Sequence, residues 1–210
     1  MQLTLHAVTT GIFLSFILGY GAYKKKWIER PVSLIANFFQ VVPTLSMLGL
    51  LMIPLSMLAI TYPFLKELGI SGVGYFPAYI VLTSYTLLPL TSHFTAGFRN
   101  ISSSVLEGAR GMGMTNFQIF FQIEMPLALP VIYTGIRTAL VQTVANTILA
   151  GLVGGGGLGA LLFLGLAQSA LDLVVVASLL VVLVSISLNL IMTGFEEMVK
   201  QRQLKEDHYD

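Results

Sequence analysis

Apolar residues dominate the chain in runs of bilayer-crossing length, separated by short polar interruptions. The runs cover about residues 3–23, 32–60, 75–98, 127–149 and 171–195, and each approaches or exceeds the roughly 20 residues that a helix needs to cross a membrane. The first ends at Lys24, Lys25, Lys26 and Trp27, a basic cluster with an aromatic anchor at the expected interface. Pro31 opens the second, which Pro43 and Pro54 interrupt. A proline in a membrane helix frees a carbonyl that neighbouring protein must satisfy. The second run is therefore expected to kink, either beside a packed interface or pathway or as a simple bend. A short link at 63–74 carries Lys66 and Glu67, a glycine-rich link covers 151–165, and the charged tail from 196 to 210 is expected to be frayed or helical at the surface.

One segment breaks the pattern. Residues 99–126 are polar to amphipathic: Met114, Phe117, Phe120, Phe121 and, less regularly, Ile123 follow steps of three and four, while Thr115, Asn116, Gln118 and Gln122 take the other face. This spacing predicts a short amphipathic helix at a membrane surface. Gly108, Ala109, Gly111 and Gly113 at its start carry little or no side chain, so a partner could approach the backbone closely. A helix lying in the headgroups with no partner fits the same pattern.

Composition agrees with the runs. Of 210 residues, 55% are hydrophobic and only 10% charged, more apolar sequence than a soluble core of this size could hide. The chain is expected to be a single all-α integral membrane domain over residues 1–210 with about five spans. The first run lacks the basic start and small-residue cleavage site of a removable signal, and is expected to be retained. Five spans put the termini on opposite sides and gather Lys24, Lys25, Lys26, Arg30, Arg99, Arg110, Lys200, Arg202 and Lys205 on one of them, leaving Lys66 on the other and Arg137 within a span. The positive-inside rule makes the basic side cytoplasmic, with the N-terminus outside and the C-terminus inside. A net charge of +1, with no basic tract among aromatics, gives no sign of nucleic-acid binding.

Few chemical motifs survive inspection. Without cysteine there is no disulfide, thiolate metal site or cysteine nucleophile, and His6, His93 and His208 are too scattered for a metal. No catalytic constellation is present. No phosphate-cradling G-x-x-x-x-G-K-[ST] occurs, so no cofactor is expected in this chain. Gly154, Gly156 and Gly159 match a dinucleotide fingerprint but lack its βαβ surroundings. Gly151, Gly155 and Gly159 recur every fourth residue, which would allow close helix packing, although a flexible or re-entrant external link is the preferred reading. Arg137 either snorkels towards the cytoplasmic surface or faces a partner helix or subunit. His93 reads as a hydrogen-bonded interface residue, and Asp172 as the cap of the fifth span. Gln142 with Asn146 and Thr143 with Thr147 form two adjacent polar rows, facing either another helix or a wet substrate path.

The order Glu107, Gly108, Ala109, three residues, Gly113, nine residues, Ile123, one residue, Met125, Pro126 resembles the "EAA, three, G, nine, I, one, LP" signature of ABC importer permeases. Gly108 replaces an alanine of that signature and Met125 a leucine. Together with residues 37–45, 107–139 and 154–159, it makes the chain similar to permeases for glycine betaine, carnitine or choline. Two departures are the short lead before the first span and Ala160, where many relatives have an acidic residue.

The resemblance implies a type I importer permease fold in a bacterial inner membrane, with residues 99–126 as the cytoplasmic coupling segment. Glu107, Gly108, Ala109, Gly113, Met114 and Phe117 would contact a separate ABC ATPase dimer, where ATP binds. A second permease copy or paralogue and an extracytoplasmic binding protein would complete the complex, surrounded by membrane lipid. Another solute, such as an amino acid or sulfonate, and a membrane scaffold or channel without an ATPase are the alternatives.

Overall fold

The computed structural model describes residues 2–206, apart from the side chains of residues 36, 37, 40 and 199–206. The side chains of Asn37, Gln40, Lys200, Arg202 and Lys205, and the whole of His208, thus lie outside the described residues. Those residues form α1 (Gln2–Lys24), α2 (Lys26–Val41), α3 (Thr44–Thr61), the single turn α4 (Phe64–Glu67), α5 (Tyr75–Arg99), α6 (Ser103–Gly111), α7 (Asn116–Ile119), α8 (Met125–Ala150), α9 (Gly157–Ala167) and α10 (Leu171–Glu206). No strand is present among them.

Four stretches are long and apolar enough to cross a membrane: Gln2–Lys24, Thr44–Thr61, Asn116–Val153 and Leu171–Met198. The third expected span, α5, has the length at 25 residues but a more polar sequence, and lies at the centre. It packs along α1 on one side and α8 on another.

The expected second span is two helices. Pro31 sits inside α2, Pro54 inside α3, and the chain breaks only at Val42 and Pro43, both in extended conformation. The break exposes carbonyls, and the Tyr85 hydroxyl on α5 donates to that of Val42. The glycine-rich link also differs from expectation, because most of it is helical. Cβ atoms on Gly151 and Gly159 would collide with the backbone of Gly159 and Ile148, so the turn after α8 and the start of α9 meet backbone to backbone. Close packing is thus what the fourfold glycine spacing serves. At 11 residues α9 is too short to span. Asp172 lies in the first turn of α10, whose positive end favours it, and not at the cap.

Lipid is as apolar as leucine, so transfer from water does not hold these helices together; close approach and interhelical hydrogen bonds do. A Cβ at Gly11 would strike Thr86, and one at Gly19 would strike Phe94, which lets α1 lie directly on α5. Ser15 donates to the Leu87 carbonyl between them at 2.8 Å, and Thr10 meets Tyr79 at 2.8 Å. Thr86 on α5 and Thr143 on α8 share a buried hydrogen bond of 2.7 Å. Such bonds contribute about 0.6 kcal/mol each on average. One apolar cluster, with Leu3, Leu48, Val81 and Val153, fills one end of the α1–α5–α8 core, and another, with Leu90, Phe94, Phe98 and Ile132, fills the other.

The two ends differ in charge. At one, the ends of α1 and α5 and the start of α8 converge, and Arg99 forks onto Glu29. Lys24, Lys25, Lys26, Arg30 and Arg110 belong to that end. At the other, His6 meets Tyr75, Thr4 meets Thr147, and the Gly74 N–H donates to the Val153 carbonyl. Lys66, in α4, belongs there.

Candidate functional site: a surface elbow and a polar cleft

The segment expected to be one amphipathic helix is an elbow of two. The first, α6, ends in a glycine cap: Gly113 takes φ +79°, its N–H bonds to the Arg110 carbonyl, and the Met114 N–H reaches back to that of Ala109. Only glycine adopts this left-handed conformation without strain. Thr115 then starts α7 with a capping box. Its hydroxyl accepts from the Gln118 N–H at 3.3 Å, and the Gln118 side chain accepts from the Thr115 N–H at 2.8 Å. Between α7 and α8 the chain makes a π-helical stretch, Phe120–Glu124, in which the Met125 N–H bonds to the Phe120 carbonyl.

That stretch corrects the expected apolar face. One extra residue in a turn rotates the helix before it by about 100° relative to the helix after it. Ile119 is buried and Phe120 packs into the core, whereas Phe117 is 72% exposed and stacks obliquely on Phe121, centroids 4.5 Å apart. Glu107, Gly108, Arg110, Gly111 and Met112 also face outward, Met114 is half-buried, and Ala109 turns inward. Around Gly108, Gly111 and Gly113 lies open space. The elbow thus offers bare backbone beside two exposed apolar side chains, Met112 and Phe117, at the basic end.

The two polar rows of α8 separate. Thr143 is buried against Thr86, and Thr147 bonds to Thr4 at 3.1 Å, so this row ties helices together. Gln142 and Asn146 instead line an open cleft of about 500 Å³ with Thr44, Tyr85, Pro89 and Ala145. That volume suits a small solute. Its wall includes the start of α3, just past the break at Pro43.

Compared with known proteins, residues 11–205 match the family described as binding-protein-dependent transport system inner membrane component. The chain belongs to this family. Curated relatives include the osmoprotectant import permease protein OsmW of Salmonella typhimurium strain LT2, 33% identical over 87% of this chain and 80% of its own. The glycine betaine/carnitine/choline transport system permease protein OpuCB of Bacillus subtilis strain 168 is 29% identical, over 98% of this permease and 87% of its own length. The choline transport system permease protein OpuBB of the same strain is 33% identical over 79% and 69%. Among solved structures, the MetNI methionine ABC transporter in an inward-facing form superposes with a TM-score of 0.73 at 21% identity, over 94% of this chain and 93% of that one. An amino acid ABC transporter chain gives 0.70 at 17% identity, over 94% and 89%. The fold is that of type I ABC importer permeases.

Besides Arg99 with Glu29, the permease carries two further ionic contacts that its sequence did not foretell as pairs. Arg137 faces a partner helix: it bonds to Asn189 at 3.1 Å and Glu196 at 2.8 Å on α10, and Thr134 donates to the same carboxylate at 2.9 Å. Glu124 is almost fully buried and meets Lys24 at 2.9 Å. The available signal was positional, since each acidic residue borders an apolar run whose neighbour in space ends or carries a base. His93 is half-buried, and its Cβ occupies the space that Gly135 leaves open on α8. Among the described residues no group of three His, Asp or Glu side chains could hold a metal.

Proposed function

We propose that this permease imports a quaternary amine of the glycine betaine, carnitine or choline type, driven by ATP hydrolysis on separate ATPase subunits. The observation that carries the solute class is the similarity, over most of the chain, to permeases named for those solutes. An extracytoplasmic binding protein delivers the solute, and a second permease copy or paralogue completes the path. The domain acts as one unit over residues 1–210, in a bacterial inner membrane with the basic end in the cytoplasm.

Residues 99–126 form the coupling segment. Glu107, Gly108, Ala109, Gly113, Met114 and Phe117 make the ATPase contact: the glycine elbow fixes the angle between α6 and α7, Phe117 inserts into the ATPase surface, and Glu107 orients at its edge. Exposed backbone beside an exposed aromatic supports this reading, since such anchors dominate interfaces. Gln142 and Asn146 line the solute path, and Thr143 and Thr147 lie behind it, holding α8 to α5 and α1. Amide groups with one tyrosine ring suit a quaternary ammonium group, which has no N–H to donate, binding it weakly enough to release.

The test is uptake of labelled choline, carnitine and glycine betaine in cells lacking other importers, with the permease expressed beside its ATPase and binding protein. Saturable uptake of one of them is expected. An assembled complex that imports none of the three overturns the solute class.

A further inference from the structure

At the basic end, α1 meets the root of the elbow through the Phe120 ring, packed on Phe16 and Tyr20, and through one carboxylate. Glu124 closes the π-helical stretch and is 2% exposed. Its oxygens accept from Lys24 at 2.9 Å, from the Tyr23 hydroxyl at 3.1 Å and, at longer range, from Tyr20 at 3.4 Å, all on the last two turns of α1. The Lys24 ammonium lies 4.8 Å from the Tyr23 ring centroid and 5.2 Å from that of Tyr20. Around them Phe98 and Phe120 pack edge-on to Tyr20, and Phe16 packs edge-on to Phe120.

Stability does not explain this arrangement. A buried ion pair is often no better than apolar residues of the same volume, and its best-attested use is to fix register or a switch. The apolar alternative was at hand in the aromatic cluster. The π-helical stretch, a feature that recurs at functional sites, aims the carboxylate at α1. Elsewhere α1 lies chiefly on α5, with α8 reached at the opposite end through Thr4 and Thr147.

We propose that Glu124 is a positioning residue, and that its pairing with Lys24 makes α1 move with the elbow when the ATPases close. The inference rests on the importer reading above. With the link intact, displacement of α6 and α7 reaches α1 directly. With it cut, the elbow shifts against the π-helical stretch and α1 stays on α5.

The test compares transport with ATP hydrolysis in the reconstituted complex. Glu124→Gln keeps the shape and removes the charge, and Lys24→Met removes its partner. In both, solute imported per ATP hydrolysed is expected to fall by about fivefold or more, the low end of typical coupling between sites, with the amount of assembled complex unchanged. The exchange Lys24→Glu with Glu124→Lys is expected to restore most of the ratio. If Glu124→Gln fails to assemble, Lys24→Met carries the test, because the Tyr20 and Tyr23 hydroxyls still donate to the Glu124 carboxylate there. A normal ratio in the assembled variants overturns the inference and leaves the importer reading standing. So does a loss of transport that tracks only the loss of complex and is not restored by the exchange. Absence of both uptake and stimulated hydrolysis in the unmodified complex overturns the two together.

Discussion

Thr143 and Asn146 sit one turn apart on the same helix and are expected to answer to different assays. Thr143 is buried against Thr86, so Thr143→Val should lower the thermal stability of the detergent-solubilised permease by about 0.5–1 kcal/mol while leaving the uptake KM alone. Asn146 faces the cleft, so Asn146→Leu should leave stability nearly unchanged and raise the KM or abolish uptake. An unchanged KM in Asn146→Leu would remove that residue from the solute path. The sequence set Thr143 in a row with Thr147 and Asn146 in a row with Gln142 by spacing, but a helical row does not say which side faces a neighbour. That was settled by the hydroxyl of Thr86, more than fifty residues away in the chain.

At the scale of elements, the elbow makes the sharper claim. Gly113→Val forces a β-branched side chain into φ +79°, a strain of about 1–2 kcal/mol, with no steric contact to add to it. The spans should fold, while co-purification with the ATPase and uptake are lost. Gly108→Ala is the matched comparison, a contact position at which the importer signature itself carries alanine. It lies inside α6 with open space around it, and alanine is the better helix former by about 0.5–1 kcal/mol. Unimpaired coupling is expected there; loss in both variants, or in neither, would detach the ATPase contact from the glycine elbow. The helix ends here went unread in the sequence, although Gly113 and the Thr115–Gln118 pair are local signals of them. The π-helical stretch was not legible, because no residue type marks it and only the packing of Phe120 and Glu124 selects it. Likewise α9 was hidden in a glycine-rich sequence that reads as a link until its backbone is set against α8.

For the whole molecule, the long helices were readable from hydropathy, except that the second run is split at Val42 and Pro43 into α2 and α3, and the division of charge between two ends was readable from the placement of lysine and arginine. The internal ion pair of Arg137 with Glu196 was not, because its halves lie 59 positions apart. The same charge division predicts orientation. The chain has no cysteine of its own, so Lys66→Cys and Arg110→Cys each introduce a single label site. An impermeant maleimide should reach position 66 in intact cells and position 110 only after permeabilisation. The reverse pattern would invert the membrane topology and detach the elbow from any cytoplasmic ATPase.

The central place of α5 has a consequence for how the chain is made. A helix rich in threonine, serine and tyrosine ties the hydroxyls of Tyr79 and Thr95 to α1 and that of Thr86 to α8, but α8 is synthesised later. While α5 leaves the ribosome, only α1 to α3 are available to shield it, and its own apolar content gives a weak partition into lipid. Its entry into the bilayer should therefore depend on the helices before it. A reporter fused after Arg99 should show α5 membrane-integrated when the fusion begins at α1 and largely unintegrated when it begins at α5. Equal integration in both would mean that α5 enters the bilayer unaided. The polar residues that bind the finished bundle together are thus a burden at the translocon, carried by whichever helices have already arrived.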